Sequence, residues 1–115
     1  MPFSRGDVVL VLYPDSNLRT AKRRPAVVVQ RDNLQSGLAQ LILAMISSNL
    51  ARAGHASRVY VARSSSEGQQ MGLRTDSLVM TDNLATVLEN EIDRHIGHVP
   101  DMTAIDAALR HTLDL

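Results

Sequence analysis

Apolar and β-branched residues recur along this chain in short runs, each closed by a turn cluster. Residues 7–13 (Asp-Val-Val-Leu-Val-Leu-Tyr) form the first run and stop at Pro14-Asp15-Ser16-Asn17, a sequence that favours a turn over continued strand. Residues 25–30 repeat the pattern until Asp32-Asn33 and Ser36-Gly37 break it, and residues 39–46 make a third run that ends at Ser47-Ser48-Asn49. Short strands at this spacing, punctuated by Gly and Pro, predict a small antiparallel barrel or sandwich and not a parallel α/β sheet.

Further along, residues 57–62 alternate polar and apolar positions as a half-exposed strand does. Residues 64–70 have no periodicity and lie close to Gly68 and Gly72, which predicts a mobile connection. Residues 77–87 suit a fifth strand, although Leu84, Val87, Leu88 and Ile92 also match helical spacing, so periodicity leaves both forms open. Residues 94–98 resemble a strand. After Pro100 and a capping candidate at Asp101 or Thr103, the residues Met102, Ile105, Ala108, Leu109 and Leu113 share one helical face, predicting a C-terminal helix packed on the core or on a second copy. No repeat or linker divides the sequence, so residues 1–115 are expected to form a single domain.

A chain of 115 residues, 44% hydrophobic and 21% charged, has ordinary globular composition. It lacks any run of the roughly 20 apolar residues that a membrane helix needs. No charged-then-apolar leader follows Met1, and the expectation is a soluble, cytoplasmic protein. With no cysteine, thiol catalysis, disulfides and cysteine–zinc sites drop out.

Charge alters the picture more than composition does. The formal net charge is zero, yet residues 1–81 carry ten Lys/Arg against five Asp/Glu, and residues 82–115 carry two against seven. Four of the positive charges fall within six residues, Arg19-Thr20-Ala21-Lys22-Arg23-Arg24, just before Pro25. A local basic field in a neutral molecule attracts phosphate, which makes nucleic acid the first partner to test. Arg24 stands apart because Pro25 restricts it to extended geometry and the strand that follows anchors its backbone. A guanidinium held in this way suits charge stabilisation on a reacting phosphate; the plainer alternative is a structural ion pair with Asp82 or another acid.

Other candidate chemistry is thinner. Of the four histidines only His95 and His98 lie close together, and on a strand three residues apart they are expected to point to opposite faces, so no metal site is predicted. Ser47 and Ser48 end an apolar strand and expose hydroxyls at a rim, but no Gly-x-Ser-x-Gly elbow accompanies them. Aromatic content of 3% argues against binding dominated by base stacking.

Taken together, Gly6-Asp7-Val8-Val9-Leu10-Val11, Lys22-Arg23-Arg24-Pro25-Ala26-Val27-Val28-Val29, Ile46-Ser47-Ser48-Asn49, Gly72-Leu73-Arg74-Thr75-Asp76-Ser77 and Asp82-Asn83 resemble the MazF/PemK (Kid) toxin family, in order and from about Ser4 to Leu113. The resemblance implies an SH3-like antiparallel β-barrel with a C-terminal helix, of α+β class. It implies a homodimer, a metal-independent endoribonuclease acting on single-stranded RNA such as messenger RNA with no cofactor, and a cognate antitoxin that inserts a flexible acidic segment. It also implies a strand at residues 77–87 with a short turn or helix near residues 89–93. Carried over by position, Arg24 matches the family's catalytic Arg before Pro, Ser47 its hydroxyl residue at the end of the third strand, and Asp82 its acid, as a base or as the group that positions Arg24. Arg19, Lys22, Arg23, Arg52 and Arg74 would hold the RNA backbone. The chain departs from the PemK pattern at Leu18, where a His is usual, at Met80, where an Arg is usual, and in its basic first loop. Two alternatives stay open on these residues: an RNA- or antitoxin-binding barrel with weakened catalysis, and a gyrase-directed toxin on the same barrel.

Overall fold

The computed structural model describes residues 3–115. Six strands, β1 (Asp7–Pro14), β2 (Ala21–Val28), β3 (Gln40–Ser47), β4 (Arg58–Val61), β5 (Ser77–Leu88) and β6 (Ile92–His98), form one sheet in the order β4-β5-β3-β2-β1-β6. Every pairing is antiparallel. Helix α2 (Thr103–Leu113) closes the chain, and a 3-10 turn at Glu89–Glu91 links β5 to β6. This is the small antiparallel β-barrel with a C-terminal helix that the strand spacing and the resemblance predicted.

Both faces of the sheet are covered, so its central strands read as continuous apolar runs and not as alternating ones. On one face Val9, Val11, Tyr13, Ala26, Val28, Leu41, Leu43 and Met45 pack together inside the curled sheet. On the other, Val8, Val27, Ala44 and Ile46 meet Met71, Leu73 and Ile105, which come from the segments folded across that face. Tyr13 is fully buried, and its hydroxyl donates to the Asn83 carbonyl at 2.6 Å, tying β1 to β5 across the interior. Burial pushes the Tyr13 pKa up, so the phenol remains a donor.

Three readings of the sequence change and one left open by periodicity is resolved. The strand expected at residues 25–30 begins at Ala21, which puts Lys22, Arg23 and Arg24 inside β2 and leaves Arg19 in the turn before it. The connection at 64–70 holds a short helix, α1 (Ser66–Gln70), capped by the Ser65 hydroxyl on the Gly68 N–H. Gly68 lies so close to the Ala62 carbonyl that a Cβ there would collide with it. The segment at 77–88, open to either form, is strand, bent where β3 passes from Leu84 to Met80 between consecutive pairs. Finally, His95 and His98 do not diverge. Register shifts between β1 and β6 let both imidazoles reach the Asp7 carboxylate, at 3.3 Å and 2.8 Å. Burial alone would raise the Asp7 pKa, but the Ser4 N–H and the two imidazoles hold it below the usual carboxylate range.

α2 follows the predicted face, burying Ile105 and Ala108. Asp101 accepts from the Thr103 N–H and hydroxyl just ahead of it. Among the described residues no helix is long and apolar enough to cross a membrane.

Candidate nucleic-acid interface

Alternation along β2 divides the basic run between the two faces of the sheet. The hydrogen-bonded register sets Ala26 opposite Met45 and Val27 opposite Ala44. Successive residues of a strand point to opposite faces, so Lys22 and Arg24 share the face of Ala26, and Arg23 shares that of Val27. On β3, Ser47 shares the face of Met45, and Ser48 follows in the bend just past the strand. Continued past the last hydrogen-bonded pair, the same register sets Arg24 opposite Ser47. The two side chains matched to the family's catalytic Arg and hydroxyl therefore project from one face where β2 and β3 part.

A groove of about 550 Å³ opens at this end of the sheet. Leu10, Pro25, Ile46, Leu73 and Ile96 give it an apolar floor, and Arg23, Arg24, Arg74, Arg94, Ser48, Thr75 and His95 line the rest. Two glycines hold one wall against β6. A Cβ at Gly97 would collide with the backbone of Met71, and one at Gly72, whose φ is +73°, would collide with the Ile96 carbonyl. This close approach holds the segment that leads into Arg74 against β6, and Arg74 and Arg94 line the same groove. Among the described residues no carboxylate lines the groove, although Asp93 lies 3.7 Å from Arg23 and Asp15 3.5 Å from Arg24 just outside it, so cations outnumber anions there.

Arg24 is only partly committed. Its Nη2 lies 3.5 Å from Asp15 Oδ1 in the turn between β1 and β2, too far for a good hydrogen bond. Its Nε is buried without a partner. The Thr20 hydroxyl, which donates to Asp15 Oδ2 at 2.6 Å, does most to lower the Asp15 pKa; burial opposes it, and Lys22 and Arg24 add to the lowering. Ser47 Oγ accepts from the Asn49 N–H at 3.1 Å, which leaves its own proton free to donate.

Asp82 does not meet Arg24, contrary to the expectation that it would act on or position that side chain. It lies in the stretch of β5 between Met80 and Leu84 that pairs with no residue of β3. There it takes a two-pronged bond from Arg58, at 3.2 Å and 3.0 Å. Burial alone would raise the Asp82 pKa, yet the Arg58 fork holds it below the usual carboxylate range. Among the predicted RNA-binding residues, Arg23 and Arg74 line the groove, Arg19 and Lys22 are exposed on the turn and strand beside it, and Arg52 sits on a separate exposed turn. Of the two rim serines Ser48 lines the groove and Ser47 does not, and Arg94 was not foreseen there. The pairing of Arg94 with Leu10 places it there, and a sequence does not display that pairing.

A curled six-stranded antiparallel sheet with a C-terminal helix and an arginine-lined groove at one end defines a small SH3-like barrel suited to an anionic ligand. Residues 4–113 match the family of PemK-like, MazF-like toxins of type II toxin-antitoxin systems, and the chain belongs to it. Among curated relatives it is similar to the endoribonuclease MazF2 of Mycobacterium bovis and the endoribonuclease MazF6 of Mycobacterium tuberculosis, each 34% identical over 119 aligned positions that span all of both chains. Among solved structures it is similar to an endoribonuclease in complex with its cognate antitoxin from a mycobacterial species, with TM-score 0.74, 20% identity and coverage of 98% of this chain and 96% of that one. MazF from Deinococcus radiodurans has TM-score 0.72 and 14% identity, with 98% and 97% covered.

Proposed function

We propose that this chain is the toxin of a type II toxin-antitoxin pair and an endoribonuclease that cuts single-stranded RNA by attack of a ribose 2′-hydroxyl on the adjacent phosphate. The observation that carries this reading is a groove whose lining includes four arginines, one of which, Arg24, has an Nε without a partner. Cleavage of this kind needs positive charge where the phosphorane oxygens gain negative charge, and Arg24 supplies it. Ser47 donates its free proton to a non-bridging oxygen and holds the phosphate in line. Arg23, Arg74 and Arg94 grip the flanking backbone, so binding weakens with salt. Asp82, committed to Arg58, stays outside the reaction.

The same groove accommodates the acidic segment of a cognate antitoxin, whose carboxylates would replace RNA phosphates on these arginines. A homodimer, working in the cytoplasm, completes the reading. Its test is incubation of the purified chain with a long single-stranded RNA and the equivalent DNA in EDTA. Cuts with 5′-hydroxyl ends in RNA alone are expected, since DNA lacks the attacking 2′-hydroxyl. RNA that stays intact across varied sequences would leave a binding module in place of the enzyme.

A further inference from the structure

The acid that meets Arg24 comes from an unexpected place. Among the described residues the carboxylate in ion-pair range of this guanidinium is Asp15, in the turn that joins β1 to β2. That turn is closely wired. Asp15 N–H donates to the Thr20 carbonyl, and Leu18 N–H donates to the Asp15 carbonyl, both at 2.9 Å. Asn17 Oδ1 accepts from the Arg19 and Thr20 N–H groups. Leu18 is held at φ 60°, in the left-handed region. One oxygen of Asp15 is fixed by Thr20, and the other faces Arg24 at a distance that orients the guanidinium without consuming its donors.

We propose that Asp15 is a positioning residue of the cleavage site: anchored by Thr20, its carboxylate sets the direction of the Arg24 guanidinium and releases it readily to a phosphate. The proposal rests on the ribonuclease reading above. The groups that face Asp15 are Thr20 from the turn and Lys22 and Arg24 from β2. All of them favour or tolerate its charged form, so it acts as a fixed anion and does not cycle a proton at neutral pH.

Asp15→Asn tests this, because the amide oxygen still accepts from Thr20 and the turn is kept while the charge is lost. Wild type, Asp15→Asn and Asp15→Glu are compared on one RNA oligonucleotide for kcat and KM. The Arg24 Nε–H resonance is followed by 15N NMR without RNA. The expected result is a fall in kcat of roughly ten- to hundredfold with little change in KM for Asp15→Asn and partial recovery in Asp15→Glu. The Arg24 resonance should be distinct in wild type and move to the position of a freely rotating arginine in Asp15→Asn. An unchanged resonance overturns the proposal. So does a lower KM with kcat kept or raised, which would make Asp15 a competitor of the phosphate. Wild type that cuts no RNA removes the ribonuclease reading instead, and the resonance still decides the link between Asp15 and Arg24.

Discussion

Two Arg–Asp pairs in this barrel do opposite work. Arg58 and Asp82 join through two hydrogen bonds of 3.2 Å and 3.0 Å, with the Arg58 side chain 16% exposed. Arg24 and Asp15 meet once, at 3.5 Å, with Arg24 Nε unpartnered. A two-pronged carboxylate saturates one edge of a guanidinium and fixes it as structure. A single long contact leaves the charge aimed and available. The difference teaches how unequally the two guanidinium groups are committed, and on the reading proposed above the one with hydrogen-bonding capacity left is the one that meets phosphate.

Substitutions at the two arginines should separate them most widely. Arg24→Ala is expected to lower RNA cleavage by about a hundredfold or more while circular dichroism and thermal unfolding stay near wild type, and Arg58→Ala should keep cleavage. A comparable loss at both positions would break the distinction. Next in size is Gly97→Ala, which forces the Met71 segment off β6 and disturbs the groove wall without touching either pair. Overpacking of this kind costs about 1–3 kcal/mol, to be read as a shift of the denaturant midpoint, with the titration of Asp82 unmoved. The smallest effect lies in the carboxylates themselves. Asp82 has a depressed pKa in the folded state. Its contribution is therefore present above the unfolded value of 3.8 and is lost as pH falls through the folded value. Arg58→Ala removes the fork and leaves the Asp82 backbone N–H and His55 as the remaining lowering influences against burial, so the Asp82 midpoint followed by 13C NMR should rise, at a stability cost of about 1 kcal/mol for a partly exposed pair. Arg24→Ala should move Asp15 less, because Thr20 is the first cause of its lowered value.

The strands were legible because β-branched runs such as 7–13 and 39–46 are bounded by turn residues, and alternation then assigns their faces. Arg24 was legible through Pro25, which marks a constrained backbone by its identity alone. What stayed hidden depends on register. Arg94 enters the groove, and His95 and His98 converge on Asp7, because bulges offset β6 against β1. Asp82 leaves the site because three residues of β5 go unpaired with β3. α1 is only five residues long, too short to show a helical period, and it is held by a cap and by the close approach at Gly68. Asp15 read only as part of a turn cluster, since its partner lies on the returning strand.

The turn between β1 and β2 also acts as a counter. It fixes Tyr13 opposite Lys22 and Val11 opposite Arg24, and so decides which of three adjacent cations goes to which side of the sheet. Adding or deleting a single residue between Asp15 and Ala21 would exchange the two sides: Arg23 would take the face that Arg24 now holds beside Asp15, and Arg24 the face that Arg23 now holds. The length of this turn is thus a chemical instruction, and a hairpin of unchanged composition but altered length would carry the same charges to the wrong address.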